Sequence, residues 1–234
     1  MGITANGIYS LANKFSSVIS TFYNVFNLSW TESVSLHIND VDRDLYLSNI
    51  INLMFNLFSS ICIIFITFMP FVFFNFIDDN YKDAYFQIPI LILAVFFQII
   101  VGLYSVVYIA LKKTNEIAKT SLFASAINLV INLLFVKEIG IYAASLSTLI
   151  SFFIMSFYRY FHVKKFVNVK IYISNVIKMS IMFVFTISSY YYNDMITNVI
   201  TCVINVCILI IINKDFIYTL VIWGRKYINK VSTL

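Results

Sequence analysis

Amides and hydroxyls recur along one face of the first helix that the sequence predicts. Their intervals alternate between four and three residues, at Asn6, Ser10, Asn13, Ser17, Ser20, Asn24, Asn27 and Thr31. Because an α-helix turns once in about 3.6 residues, these side chains form one polar stripe on an otherwise apolar helix. Such groups hydrogen-bond a polar partner, so the stripe predicts that this helix faces something polar.

Two lysines lie within predicted apolar spans and supply a different chemistry. Lys14 stands beside the stripe, and Lys178 lies two turns into the sixth span, between Ser174 and Thr186. A lysine inside a bilayer is costly, which favours a functional role, although both side chains are long enough to reach an interface. A cation in a cavity suits an anionic group such as a phosphate.

The composition indicates that the polar stripe and the two lysines lie on helices within a lipid bilayer. The chain is 61% hydrophobic and 12% charged, with a mean hydropathy of +0.88, far from the composition of a soluble domain. Apolar runs long enough for a hydrocarbon core of about 30 Å recur along it. We therefore predict an all-α, polytopic membrane bundle with about seven spans, at 7–30, 47–76, 86–111, 117–136, 139–161, 171–192 and 196–213.

Polar residues at helical spacing also occur in the second, third, fourth and seventh spans. Two explanations compete, because an amide in hydrocarbon must find a partner. Interhelical hydrogen bonds explain an isolated residue such as Asn205, whereas a helix that is polar along its full length favours a water-filled cavity. We expect the first, second and fourth helices to line this cavity. The candidate substrate-binding residues are Asn13, Lys14, Ser17, Asn24, Asn52, Asn56, Asn128 and Lys178.

The placement of basic residues predicts the orientation of the spans. Loops 31–46, 112–119 and 159–170 and the tail after residue 213 carry twelve Lys and Arg, Arg159 among them, against two in the opposite connections. The positive-inside rule then makes the C-terminus cytoplasmic. Seven spans with a cytoplasmic C-terminus place the N-terminus outside, so we expect an upstream stretch with an odd number of spans.

Signatures of catalysis are not found in the sequence. It has no Gly-rich phosphate loop, no His–Glu metal spacing and no pair of carboxylates inside a span. We expect a protein that is not an enzyme and that has no cofactor, no metal and no nucleic-acid partner.

Several segments, taken in order, resemble the polysaccharide (O-antigen type) flippases of the multidrug/oligosaccharidyl-lipid/polysaccharide exporter superfamily. Gly7-Ile-Tyr-Ser-Leu-Ala-Asn-Lys14 looks like the segment that opens a helix in that family. Further matching segments are Pro70–Tyr81, Ile88–Leu91, Lys112–Thr114, Ala126–Leu129 with Asn132, and Gly140–Ser147. The chain departs from the pattern at Ala143 and at Asp79-Asn80, where the family has glycine.

The resemblance implies a fold and a function. Residues 1–165 would form most of the second lobe of a fourteen-helix flippase, and residues 166–234 would add two peripheral helices and a basic amphipathic tail. The family moves a lipid-linked oligosaccharide, here an undecaprenyl-pyrophosphate-linked repeat unit, across the bacterial inner membrane. The implied partners are that substrate, membrane lipids and a first lobe that the chain lacks, which makes it a transporter fragment.

Two alternatives remain open from the sequence. A multidrug extruder of the same superfamily would ordinarily couple to ions through acids inside the membrane, which these spans lack. A multi-spanning polysaccharide polymerase, an enzyme, would be expected to carry a large external loop with Arg or His.

Overall fold

The computed structural model describes residues 3–214 and residue 218. Within them the chain is all-α, with seven α-helices and one short 3-10 turn at Asp79–Tyr81. The helices are α1 (Ile3–His37), α2 (Arg43–Phe76), α3 (Lys82–Ala110), α4 (Thr114–Ile139), α5 (Tyr142–Val163), α6 (Ile173–Tyr192) and α7 (Met195–Ile212). Each predicted span corresponds to one of these helices.

The first connection is much shorter than the sequence predicts. Residues 31–46 are expected to form a loop, but α1 continues to His37 and α2 begins at Arg43. The hydroxyls of Thr31 and Ser35 donate to carbonyl oxygens one turn earlier in the same helix, each at 2.7 Å. The chain therefore stays helical after its apolar run has ended, and the prediction from hydropathy is wrong here.

Both prolines lie inside helices. Pro89 is predicted in the first turn of the third span, where its missing N–H costs little, but α3 begins at Lys82 and places it in the interior. Pro70 likewise lies inside α2. Membrane helices tolerate proline because local adjustments and neighbouring groups satisfy the freed carbonyl groups. The predicted amphipathic tail lies almost wholly outside the described residues.

Five of the seven helices in the described part of the chain are long and apolar enough to cross a membrane, namely α2, α3, α4, α6 and α7. The bundle is consistent with a helical membrane protein. The other two helices, α1 and α5, are long enough but not apolar enough over such a length, and both line the cavity described below.

The helices pack in two groups around α3. In the first group, α3 contacts α1 and α5, and α4 packs mainly against α5. In the second group, α2 contacts α3 and also packs against α6 and α7. The buried residues of α3 include Ile88, Ile92, Leu103, Tyr104 and Val107. The walls of the cavity described below come from α1, α3, α4 and α5, so it lies in the first group.

Asn205 of α7 makes the interhelical hydrogen bonds that the sequence predicts. Its Nδ2 donates to Thr67 Oγ1 of α2 at 2.9 Å and to Thr186 Oγ1 of α6 at 2.8 Å. At the start of α7, Asp194 accepts the backbone N–H of Thr197 at 3.0 Å. This hydrogen bond and one from the Thr197 hydroxyl lower the pKa of the Asp194 carboxyl.

Candidate functional site: a polar groove between α1, α3, α4 and α5

Two adjoining cavities form one groove in the first helix group. Their volumes are about 280 Å³ and 530 Å³, and they share the walls Ser121, Phe152 and Met155. We call them together the polar groove. Its polar walls are Ser20, Tyr23, Asn24, Gln98, Ser105, Ser121, Ser125, Asn128, Asn132, Ser151 and Arg159. Among the described residues that line the groove, none carries a carboxylate.

The polar stripe of α1 leads into this groove. Of its eight side chains five are exposed, Ser20, Asn27 and Thr31 are partly exposed, and none is buried. The hydrogen bonds that these side chains make within residues 3–214 stay inside α1, for example from Ser17 Oγ to the Lys14 carbonyl at 2.7 Å. The stripe therefore forms no side-chain hydrogen bond that joins α1 to another helix within the described residues.

A different face of α1 packs against α3. Ile8, Ala12, Ile19, Trp30 and Val34 are buried on it. The buried indole of Trp30 lies 3.4 Å from the Leu103 carbonyl, to which its Nε1–H donates. The stripe lies beside this apolar face, and its residues Ser20 and Asn24 border the groove between α1 and α3.

Gly102 allows a close approach between α1 and α3. A Cβ at this position would lie 2.2 Å from the hydroxyl oxygen of Tyr23, so only glycine leaves space for the phenol ring. The Tyr23 hydroxyl donates to Asn27 Oδ1 at 2.9 Å. Both Tyr23 and Gly102 line the groove, so this contact shapes its wall.

The other wall comes from α4, which is attached to the bundle mainly through α5. Thr120 and Ala124 are the buried residues of α4. Ser121, Ser125, Asn128 and Asn132 follow one another at intervals of three or four and face the groove. Asn128 Nδ2 donates to Thr148 Oγ1 of α5 at 3.2 Å.

Arg159 is the buried cation of the groove, and its placement corrects the sequence analysis. It is expected in the basic loop 159–170, but α5 continues to Val163 and leaves Arg159 only 1% exposed. Its guanidinium donates to Thr120 Oγ1 at 2.7 and 3.1 Å, to the Val101 carbonyl at 3.1 Å and to Ser121 Oγ at 3.2 Å. It also bonds the Ser105 hydroxyl and the Ile117 carbonyl.

All of these acceptors are neutral. Within the described part of the chain, Arg159 forms no ion pair with a carboxylate. A buried charge costs several kcal/mol, and hydrogen bonds offset only part of that cost. The positive charge is therefore held at the groove wall without a counter-charge, and it links α5 to α3 and α4.

The structure brings some of the predicted site residues to the groove. Asn24 and Asn128 line it, from α1 and α4 respectively. Asn13, Lys14 and Ser17 are exposed further along α1, with Asn13 and Ser17 on the stripe and Lys14 beside it. Of the predicted residues, Asn24 and Asn128 therefore lie in the groove, while Asn13, Lys14 and Ser17 lie outside it on α1.

The other three predicted residues lie elsewhere. Asn52 is only 4% exposed, and its amide pairs with the segment after α5: Nδ2 donates to the Lys170 carbonyl at 2.7 Å, and Oδ1 accepts the Tyr172 N–H at 2.8 Å. Asn56 is partly buried on the same helix, and Lys178 is exposed on α6. The expected contribution of α2 is thus replaced by α3 and α5.

Arg159 was not predicted as a groove residue. A signal was present, because Arg159 follows Ser151 by eight residues, a spacing that keeps both residues on one helical stripe. Gln98 and Ser105 of α3 belong to the polar residues at helical spacing in the third span, which was not predicted to line the cavity. The predicted fifth span reached residue 161, but the basic loop was counted from residue 159, so Arg159 was counted with the loop.

No protein-family model, no curated protein and no solved structure matches this chain.

Proposed function

We propose that the chain is the second lobe of a flippase that carries a lipid-linked oligosaccharide across the bacterial inner membrane. In this proposal the polar groove and the α1 stripe form one wall of a hydrated pathway for the sugar and pyrophosphate. The lipid tail stays in the bilayer, the C-terminus is cytoplasmic, and a first lobe faces the stripe from the other side. The resemblance described above supplies the substrate class.

The observation that carries this proposal is the exposure of the α1 stripe. Hydrocarbon is a poor environment for eight amides and hydroxyls with no interhelical partners among the described residues. Water or a polar substrate satisfies them. A flippase pathway provides both, because it must hydrate a sugar chain inside the membrane.

The chemistry of the groove supports a sugar substrate. Amides and hydroxyls such as Asn24, Gln98, Ser125 and Asn128 pair with sugar hydroxyls as donors and acceptors. The positive charge of Arg159, with no acid among the described lining residues, favours an anionic group such as a pyrophosphate. Lys14, which is exposed on α1 outside the groove, is proposed as a second positive charge along the pathway.

Cysteine accessibility tests the proposed pathway. With the three native cysteines replaced, single cysteines at positions 13, 17, 20 and 24 should react with a membrane-impermeant thiol reagent in cells or inverted vesicles. Matched controls at Ile19, which is buried, and Phe22, which is exposed on the apolar side, should stay unreactive, because thiols need water to ionise. Unreactive stripe positions from both compartments would contradict the pathway.

Substitution of Lys14 tests the function itself. In the native cell Lys14→Ala should abolish surface polysaccharide while the membrane abundance of the protein is unchanged. Lys178→Ala serves as the matched control, because Lys178 lies on α6, away from the groove, and it should leave polysaccharide intact. Normal polysaccharide in the Lys14→Ala strain would remove Lys14 from the proposed mechanism.

A further inference from the structure

A second groove lies on the other side of the interface between α4 and α5. Its volume is about 280 Å³, and its walls include Phe123 and Ile127 of α4 and Ile154 and Tyr158 of α5. At 100° per residue, these α4 positions are on a different face from Ser121, Ser125 and Asn128 of the polar groove. We call this second groove the lateral groove.

The walls of the lateral groove are apolar and open outward. Phe123 is 62% exposed, and Ile154 and Tyr158 are also exposed. They lie on and beside α4, a helix that is long and apolar enough to cross a membrane. Exposed apolar side chains on such a helix face lipid, so this groove opens to the bilayer.

One end of the lateral groove is charged. Lys119 Nζ bonds Glu116 Oε1 at 2.9 Å, and Glu116 Oε2 lies 4.0 Å from His162 Nε2. Lys113 lies at the same end, with its Nζ 4.2 Å from the centre of the Phe166 ring. Because one carboxylate faces two lysines, this end of the groove is positively charged, and the Lys119 side chain is 72% exposed there.

The groove is long enough to hold most of one acyl chain. Lys119 and Ile127 are eight residues apart on α4, which is about 12 Å at 1.5 Å per residue. Half of a hydrocarbon core is about 15 Å thick. When the headgroup lies beside Lys119, the apolar walls therefore cover most of the length of an acyl chain within its leaflet.

We infer that the lateral groove binds an anionic phospholipid, with its phosphodiester beside Lys119 and one acyl chain between Phe123, Ile127 and Ile154. The positive end of the groove selects the charge of the headgroup, and the apolar walls hold the chain. This site is separate from the polar groove and does not depend on the proposed transport function.

Native mass spectrometry of the purified full chain tests this site, with phosphatidylglycerol and phosphatidylcholine titrated in parallel. We expect one phosphatidylglycerol adduct at concentrations at least fivefold below those at which phosphatidylcholine binds. Lys119→Gln should remove this preference, and Ile127→Trp should fill the groove and remove the adduct. Lys178→Gln and Leu134→Trp, at exposed positions outside the groove, are the matched controls and should bind as the unaltered chain does.

Each result decides one part of the inference. Equal binding of the two lipids, or an unchanged preference in Lys119→Gln, overturns the headgroup site. A phosphatidylglycerol adduct that survives Ile127→Trp overturns the acyl-chain site. Circular dichroism checks that each variant is folded, and Ile127→Phe replaces Ile127→Trp if the larger residue prevents folding.

Discussion

Burial of the Arg159 charge costs free energy, and the Thr120 and Ser105 hydroxyls do not need Arg159 as a hydrogen-bond partner. Thr120 Oγ1 also donates to the Glu116 carbonyl at 2.7 Å, and Ser105 Oγ donates to the Val101 carbonyl at 2.8 Å. These hydroxyls would keep a partner if the guanidinium were removed. Stability alone therefore gives no reason to bury this charge, and an ionisable residue inside a membrane bundle is a candidate for function.

Replacement of Arg159 by methionine separates a role in stability from a role in function. Methionine fills much of the same space without a charge, and buried ionic groups are often replaced by apolar ones at no cost in stability. Arg159→Met should therefore unfold at the same or a higher temperature, measured by thermal denaturation in detergent. In the native cell the same variant should lose surface polysaccharide, because the groove loses its buried cation. A drop in unfolding temperature of several degrees would instead make Arg159 a structural residue.

At the scale of the elements, close contacts decide how the helices of the groove are seated. The packing of α1 on α3 depends on the absence of a side chain at Gly102, since the phenol of Tyr23 occupies that space. The α6–α7 pair is held on α2 by side-chain amides and hydroxyls. The contact at Gly102 requires that no side chain be present, whereas the contact at Asn205 requires a polar side chain.

Gly102→Ala should destabilise the contact between α1 and α3. The added methyl group would displace the Tyr23 ring, and such overpacking typically costs about 1–3 kcal/mol. The free energy of unfolding in a detergent titration measures this loss. Gly7→Ala is the matched control, because its Cβ would meet nothing closer than 3.9 Å, and it should leave stability unchanged or raise it by up to about 1 kcal/mol, since alanine favours a helix more than glycine does. Equal stability of the two variants would contradict the close approach.

Asn205→Ala should loosen α7. The substitution removes two interhelical hydrogen bonds, and such bonds contribute about 0.6 kcal/mol each in membrane bundles. We expect a loss of about 1 kcal/mol in the same detergent titration. Cys207→Ala, at an exposed position of α7, controls for the change in helix sequence and should have no effect. A loss confined to Cys207→Ala, or absent from both variants, would contradict the role of Asn205.

At the scale of the whole molecule, the basic residues gather at one end of the bundle. Tyr108 Oη lies 2.8 Å from His162 Nδ1, which joins the end of α3 to the end of α5. Lys170 N donates to Ser48 Oγ at 2.9 Å, which brings the start of α2 to the same end. Lys112, Lys113, Lys164 and Lys165 are exposed there. Without Arg159 the sequence still has eleven basic residues in the connections predicted to be cytoplasmic, against two in the others, so a cytoplasmic C-terminus stays the prediction.

Site-specific labelling measures this orientation. Single cysteines in place of Lys113 and Lys165 should react with an impermeant reagent in inverted vesicles but not in intact cells, because basic loops stay in the cytoplasm. Cysteines in place of Glu138 and Asn193, both exposed, should give the opposite result. Labelling of Lys113 and Lys165 positions from different compartments would contradict the arrangement of α4 and α5 as two antiparallel membrane helices.

The sequence by itself determined the seven helices and the polar stripe of α1, because apolar runs and helical spacing are properties of neighbouring residues along the chain. It also identified Asn24 and Asn128, which lie on continuous polar faces. Only the tertiary structure decided which polar face meets the groove. Asn52 and Arg159 show the reason: the amide of Asn52 pairs with a segment more than a hundred residues away, and the acceptors of Arg159 come from α3 and α4. Partners brought together by packing leave no local pattern, so spacing along one helix predicts a polar face but not the neighbour that this face will contact.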